Sequence, residues 1–212
     1  MKVISVNVGR PKTVQWHRKT VLTSIWKSPV EGPVHVAPFN LFGDEQSDLT
    51  VHGGPNKAVY GYPTEHHEYW RRELPDAELS WGAFGENLST EGLLETDVAI
   101  GDRFRIGSAE LIAVQPRIPC YKLGIRFGRD DMVKRFMASR RSGYYFAIGK
   151  EGAISAGDRI ERVSRAEGSV TIAELVGLFS GDIDDVELAK RAVAADALPA
   201  FWRSELTTAF SL

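Results

Sequence analysis

The most reactive side chain in the sequence belongs to Cys120, the single cysteine among 212 residues. It lies in Val114-Gln115-Pro116-Arg117-Ile118-Pro119-Cys120-Tyr121-Lys122-Leu123, where Pro116 and Pro119 fix their own φ angles and push the residues before them towards extended backbone. That spacing predicts a stiff turn that aims the thiol, not a helix interior. Arg117 and Lys122 add positive charge nearby, and cations favour the thiolate, the form of cysteine that attacks electrophiles and ligates metals. A lone cysteine is more often a small buried hydrophobe, and on the flanking residues alone that reading leads.

Two other polar stretches bear on the balance. Gly43-Asp44-Glu45-Gln46 and Val51-His52-Gly53-Gly54-Pro55-Asn56-Lys57-Ala58-Val59 join glycines that let backbone N–H groups approach a ligand to His52 and Lys57, which can donate to phosphate. Gly-Gly-Pro-Asn also suits an ordinary surface turn. Gly85-Glu86-Asn87-Leu88-Ser89-Thr90-Glu91-Gly92-Leu93 is a further polar loop. Neither GxxxxGK[ST] nor GxGxxG occurs, so nucleotide hydrolysis and a dinucleotide site lack their usual signatures. His66 and His67 are adjacent, and neighbouring helical side chains point about 100° apart, so they read as solvent-facing residues of a helix over 64–74, capped by Thr64, and not as a zinc pair.

The elements that must position these groups are mostly strands. Ile4, Val6 and Val8 alternate with polar residues, and Val21–Trp26, Val59–Tyr62, Val98–Ile106 and Glu110–Val114 are β-rich. Pro29, Gly32, Pro33 and Pro38 cut the early chain into short pieces, as in a barrel or sandwich. A helix bearing Met132, Val133, Phe136 and Met137 is expected after Asp130 or Asp131. The character changes near residue 165. Thr171 and Glu174 form a capping-box pattern before Ile172, Leu175, Val176 and Phe179, Asp184 or Asp185 can open a second helix, and Pro199 suits the first turn of a third. The expected organisation is a β-rich domain over 1–164 and a three-helix unit over 165–212.

A 43% hydrophobic, 25% charged composition with formal net charge −2 is that of an ordinary globular protein and argues against a general nucleic-acid binder. One cysteine excludes an internal disulfide and any zinc or iron–sulfur site built from several cysteines. With neither an export signal nor a membrane-spanning run, a reducing cytoplasm is the expected location and no membrane association is expected.

Taken in order, the segments at 43–59, 84–93 and 115–123, with the helical tail, resemble the MOSC domain, named after the C-terminal domain of molybdenum-cofactor sulfurases, in the subfamily that carries a three-alpha domain and reduces N-hydroxylated bases. The resemblance covers essentially the whole chain. It implies a mainly β, barrel-like domain with a few helices, and a molybdenum cofactor, Mo-pyranopterin, whose metal is ligated by Cys120. It further implies roles for His52, Lys57, Asn87 and Arg117 in holding the cofactor, with Lys57 and Arg117 suited to its phosphate and Asn87 to its pterin edge. Asp44 would orient a donor or relay a proton, or hydrogen-bond its own backbone. The implied reaction is two-electron reduction of an N–OH compound such as 6-N-hydroxylaminopurine, with a separate electron-donor protein; a homodimer is compatible. The alternative is a sulfur (persulfide) or cofactor carrier without its own catalysis.

Overall fold

The computed structural model describes residues 1–47, 53–165 and 167–212. The alternation at the start forms β1 (Lys2–Val8), with Val3 and Val6 fully buried. A two-stranded hairpin follows, β2 (Lys12–Trp16) and β3 (Lys19–Thr23), and then the short strands β4 (Ser28–Pro29), β5 (Val34–Ala37) and β6 (Asn40–Leu41) in the proline-cut region. A 3-10 turn, Pro55–Lys57, leads into β7 (Val59–Pro63). Helix α1 (His66–Glu73) precedes β8 (Leu88–Glu91), β9 (Arg103–Ile106) and β10 (Ala109–Pro116). Beyond Cys120 come α2 (Tyr121–Phe127), α3 (Met132–Ser139), β11 (Tyr144–Lys150), β12 (Gly152–Ile154) and β13 (Ile160–Ser164).

Eight strands form one sheet in the order β13-β9-β10-β11-β7-β8-β1-β4, antiparallel except for β7 against β8. A three-stranded sheet, β12-β5-β6, and the β2–β3 hairpin complete the strand pairing of the described residues. The chain is thus sheet-dominated, as the sequence implies. The expected barrel is not closed, because β13 and β4 remain the two ends of the large ladder. The segment entering β13 nevertheless reaches β1, through Val3 N–H to Asp158 O (2.9 Å) and Gly157 N–H to Val3 O (2.8 Å). Among the described residues no helix is long and apolar enough to cross a membrane.

The tail forms α4 (Ile172–Ser180), α5 (Val186–Ala194) and α6 (Ala200–Phe210). The capping box at Thr171 and Glu174 is complete, and Asp185 accepts the Leu188 N–H, so two helix starts follow directly from local chemistry. Ile172, Leu175, Ala189, Ala192, Trp202 and Leu206 belong to the same buried cluster as Val3, Phe104, Leu111 and Phe146 of the strands. Short helices gain stability by burying an apolar face, and these use the sheet for it. A second, aromatic cluster packs Tyr60, Tyr62, Trp70, Phe84 and Phe136 with Leu123 and Met132, beneath the Cys120 turn.

Three local expectations need correction. Thr64 does not cap α1; its carbonyl accepts the His67 N–H, and the helix begins without a side-chain cap. His66 and His67 do not face solvent: His66 bonds to Glu95 (2.8 Å), and His67 is buried between the rings of Trp81 and Phe84. Burial lowers the His67 pKa to about 4, with Arg71 adding to the effect, so it is neutral at neutral pH. Asp131 precedes α3 but makes no cap hydrogen bond, pairing with Arg129 and Arg135 instead.

A cavity around Cys120

Strand β10 ends at Pro116, and the chain then turns through Arg117-Ile118-Pro119 to Cys120, whose extended backbone (φ −114°, ψ 172°) makes it the residue immediately before α2. The proline turn therefore presents the thiol ahead of the first helical turn, as its spacing predicts. Helix α2 is not among the elements expected from the sequence; the local signal for it is Gly128, which ends it in a left-handed conformation (φ 65°) that glycine adopts without steric cost.

Cys120 is half-buried and lines a cavity of about 510 Å³. The expected residues Lys57, Asn87 and Arg117 share that wall. Lys57 and Arg117 lie within electrostatic reach of the sulfur, as does the phenol of Tyr145. Burial draws the Lys57 pKa down, opposed by Cys120. Burial also pushes the Tyr60 and Tyr145 phenols up, so both are protonated, and the Tyr60 hydroxyl donates to the Ser142 carbonyl (2.8 Å). His52 lies outside the described residues.

Arg117 is only 7% exposed. It donates to the Phe84 carbonyl, and its guanidinium lies 4.7 Å from the Tyr60 ring and 5.6 Å from the Phe136 ring. A guanidinium carries five N–H donors in a rigid fork, so clamping one of them aims the others instead of consuming the group.

Asn87 is more committed than the sequence suggests. Its Oδ1 accepts the Tyr60 N–H (3.1 Å), and its Nδ2 donates to Asp44 Oδ2 (3.0 Å) and Asn7 O (3.3 Å). The amide thus ties together three segments behind the cavity wall. Asp44 sits behind the wall, 2% exposed, accepting from Gly9 N–H (2.8 Å), Asn87 and the Lys27 ammonium. It does not line the cavity; it orients two residues that do, Lys27 and Asn87. Burial lowers the Lys27 pKa, while Asp44 and Glu86 oppose that shift.

Glu86 braces the same loop from beneath, accepting from Gly82 N–H (2.6 Å), Phe84 N–H (3.0 Å) and Ser89 Oγ (3.0 Å), with its pKa raised by burial. Gly85 completes the loop at φ +80°, where a Cβ would also strike the Ile25 side chain at 2.8 Å.

Little in the local sequence points to Lys27, Gln115 and the helical tail as parts of this site. Gln115 Nε2 donates to Asn56 O (2.6 Å), and its Oε1 accepts from Trp202 Nε1 (2.8 Å), so α6 is tied through one amide to the turn that carries Lys57. Pro199 and Phe201 then form part of the cavity wall. Contacts of such long sequence separation leave no local pattern to find.

The donor set is coherent with an anionic, heterocyclic ligand. The volume is of the size that encloses a cofactor, cations flank a soft sulfur, and the remaining surface is largely apolar. Among the described residues no group of three or more His, Cys, Asp or Glu could hold a metal.

The model of the MOSC domain matches residues 48–161. Uncharacterized protein YflK of Bacillus subtilis (strain 168) is 38% identical over 202 residues, covering 95% of this chain and 91% of that protein. A protein named "Reductase" from Gibberella moniliformis (strain M3125 / FGSC 7600) is 35% identical over 148 residues, 68% of this chain and 26% of its own length. The crystal structure of YiiM from Geobacillus stearothermophilus superposes with a TM-score of 0.82 at 33% identity, covering 99% of this chain and 98% of that one.

Proposed function

The chain belongs to the MOSC domain family, and from that premise we propose that the cavity around Cys120 holds a molybdenum pyranopterin cofactor and reduces N-hydroxylated compounds. The observation that carries the proposal is the half-buried thiol of Cys120 opening into a cavity shared with Lys57 and Arg117. The printed name of the fungal relative supports the reductase half of the reading.

When bound, the cofactor supplies the two-electron redox chemistry. The residues of this chain do the rest. Cys120 provides the sulfur ligand, and Lys57 and Arg117 provide charge for the cofactor's anionic groups. Arg117 suits that role because its aromatic and carbonyl clamps have already fixed its fork. Asn87 and Asp44 hold the wall in shape, and Asp44 pairs with Lys27 beside the cavity, opposing the downward pull of burial on its pKa. The overall change is RNHOH + 2 e⁻ + 2 H⁺ → RNH₂ + H₂O. The electrons come from a separate donor protein, and a cytoplasmic, reducing setting keeps the single thiol available.

The test is reduction of 6-N-hydroxylaminopurine to adenine by protein isolated from a molybdenum-replete host, under a chemical reductant. Adenine formation that requires Cys120 supports the proposal. Persulfide on Cys120, with no molybdenum and no reduction, would replace it with sulfur carriage.

A further inference from the structure

The cavity wall has two chemically unlike sets of residues. Charged and hydrogen-bonded groups, Lys27, Lys57, Asn87 and Arg117, make one set, and Ile118, Pro119, Pro199 and Phe201 make an apolar set. Ile118 is 41% exposed and Phe201 51%. Single exposed apolar residues are common on protein surfaces and by themselves mean little. These two share one cavity with the thiol, and one of them comes from a helix distant in sequence.

The position of Phe201 is fixed by its neighbour. Trp202 is 1% exposed, packs edge-on to Phe179 (4.9 Å between ring centres) and donates to Gln115, the residue before Pro116 at the end of the strand that delivers Cys120. With Trp202 anchored inside, the preceding side chain on α6 is held at the cavity edge, in fixed relation to the cysteine turn. Pro199, immediately before α6, stiffens the approach.

We propose that Phe201 is the substrate-selecting residue of this site, a platform on which a flat, uncharged aromatic heterocycle stacks while its N–OH group points towards Cys120. An aromatic face binds any planar π-system through stacking, whereas an aliphatic hydroxylamine offers it no comparable surface. The cationic residues, by contrast, suit the anionic groups of the cofactor, which leaves the aromatic face for the substrate. This inference rests on the reductase reading for its catalytic meaning, and on geometry alone for its binding meaning.

Two measurements separate those meanings. The first compares KM for 6-N-hydroxylaminopurine and for N-methylhydroxylamine in molybdenum-loaded wild type, Phe201→Ala and Phe201→Tyr. The expected result is a rise in KM for the purine of about tenfold or more in Phe201→Ala, from the stacking lost per ring. The KM ratio between the two substrates should fall accordingly, kcat for the purine should change little, and Phe201→Tyr should restore wild-type behaviour. The second is calorimetric binding of adenine to the same proteins, which requires no turnover. If no N–OH compound is reduced yet adenine binding weakens in Phe201→Ala and recovers in Phe201→Tyr, the reductase reading fails and the platform stands. If the purine is reduced with the same KM in all three proteins, or if Phe201→Ala weakens both substrates equally, the platform is overturned.

Discussion

The polar and the apolar lining of the cavity differ in how they are built. The polar groups are held from behind: Asp44 fixes Lys27 and Asn87, Glu86 fixes the loop over 82–87, and the Phe84 carbonyl with the Tyr60 and Phe136 rings fixes Arg117. The apolar residues Pro199 and Phe201 sit at the start of α6, which is tied in by Trp202 to Gln115 and by Arg203 to the Val193, Ala195 and Leu198 carbonyls, and they present partly exposed surface. A charged wall needs that scaffolding, because a buried charge is tolerated only when paired and hydrogen-bonded. An apolar wall needs only placement. Changes behind the first should therefore cost folding stability, and changes to the face of the second should cost selectivity.

The sharpest break of that contrast is Asp44→Ala, which strands the Lys27 ammonium and removes a partner of Asn87. A loss of about 3–5 kcal/mol in urea-unfolding stability is expected. Replacing both members, Asp44→Leu with Lys27→Met, should recover much of it, since apolar residues of similar size need no partner. Next comes Gln115→Leu, which leaves the buried Trp202 Nε1–H unpaired and frees the Asn56 carbonyl. It should cost about 1–3 kcal/mol and loosen α6 in hydrogen exchange.

A pH effect is expected at His67, which packs on Phe84 beneath the charged wall. Its folded pKa of about 4 lies below the ordinary 6.5, so the unfolded chain binds the proton more readily between those values. Stability from this group is full above about 6.5 and falls as pH drops towards 4. In His67→Leu that part of the pH dependence should disappear from the unfolding midpoints. The smallest effect on stability belongs to Phe201→Ala, expected within about 0.5 kcal/mol of wild type because the side chain is half-exposed.

What could be read from the sequence follows the range of the interactions. The capping box at Thr171 and Glu174, the proline turn at 116–119 and the alternation in β1 are local, and each appears where its pattern places it. Cys120, Lys57, Asn87 and Arg117 were brought to one cavity from three separate motifs, which only their joint resemblance to a family had linked. Local chemistry gave no sign that the Asn87 amide bonds to Tyr60, Asp44 and Asn7, two of them more than 40 residues away. It misjudged His67 because the rings that bury it include Trp81 and Phe84, beyond the end of α1. The open end of the large sheet is likewise a property of strand order, which composition does not carry.

The most direct test of the central assignment is molybdenum content per chain, measured by mass spectrometry on protein from a molybdenum-replete host, for wild type and Cys120→Ser. The account predicts near-stoichiometric metal in wild type and its loss in the variant, with both proteins folded to the same circular-dichroism spectrum. Equal molybdenum in the two, or none in wild type from that host, would contradict it.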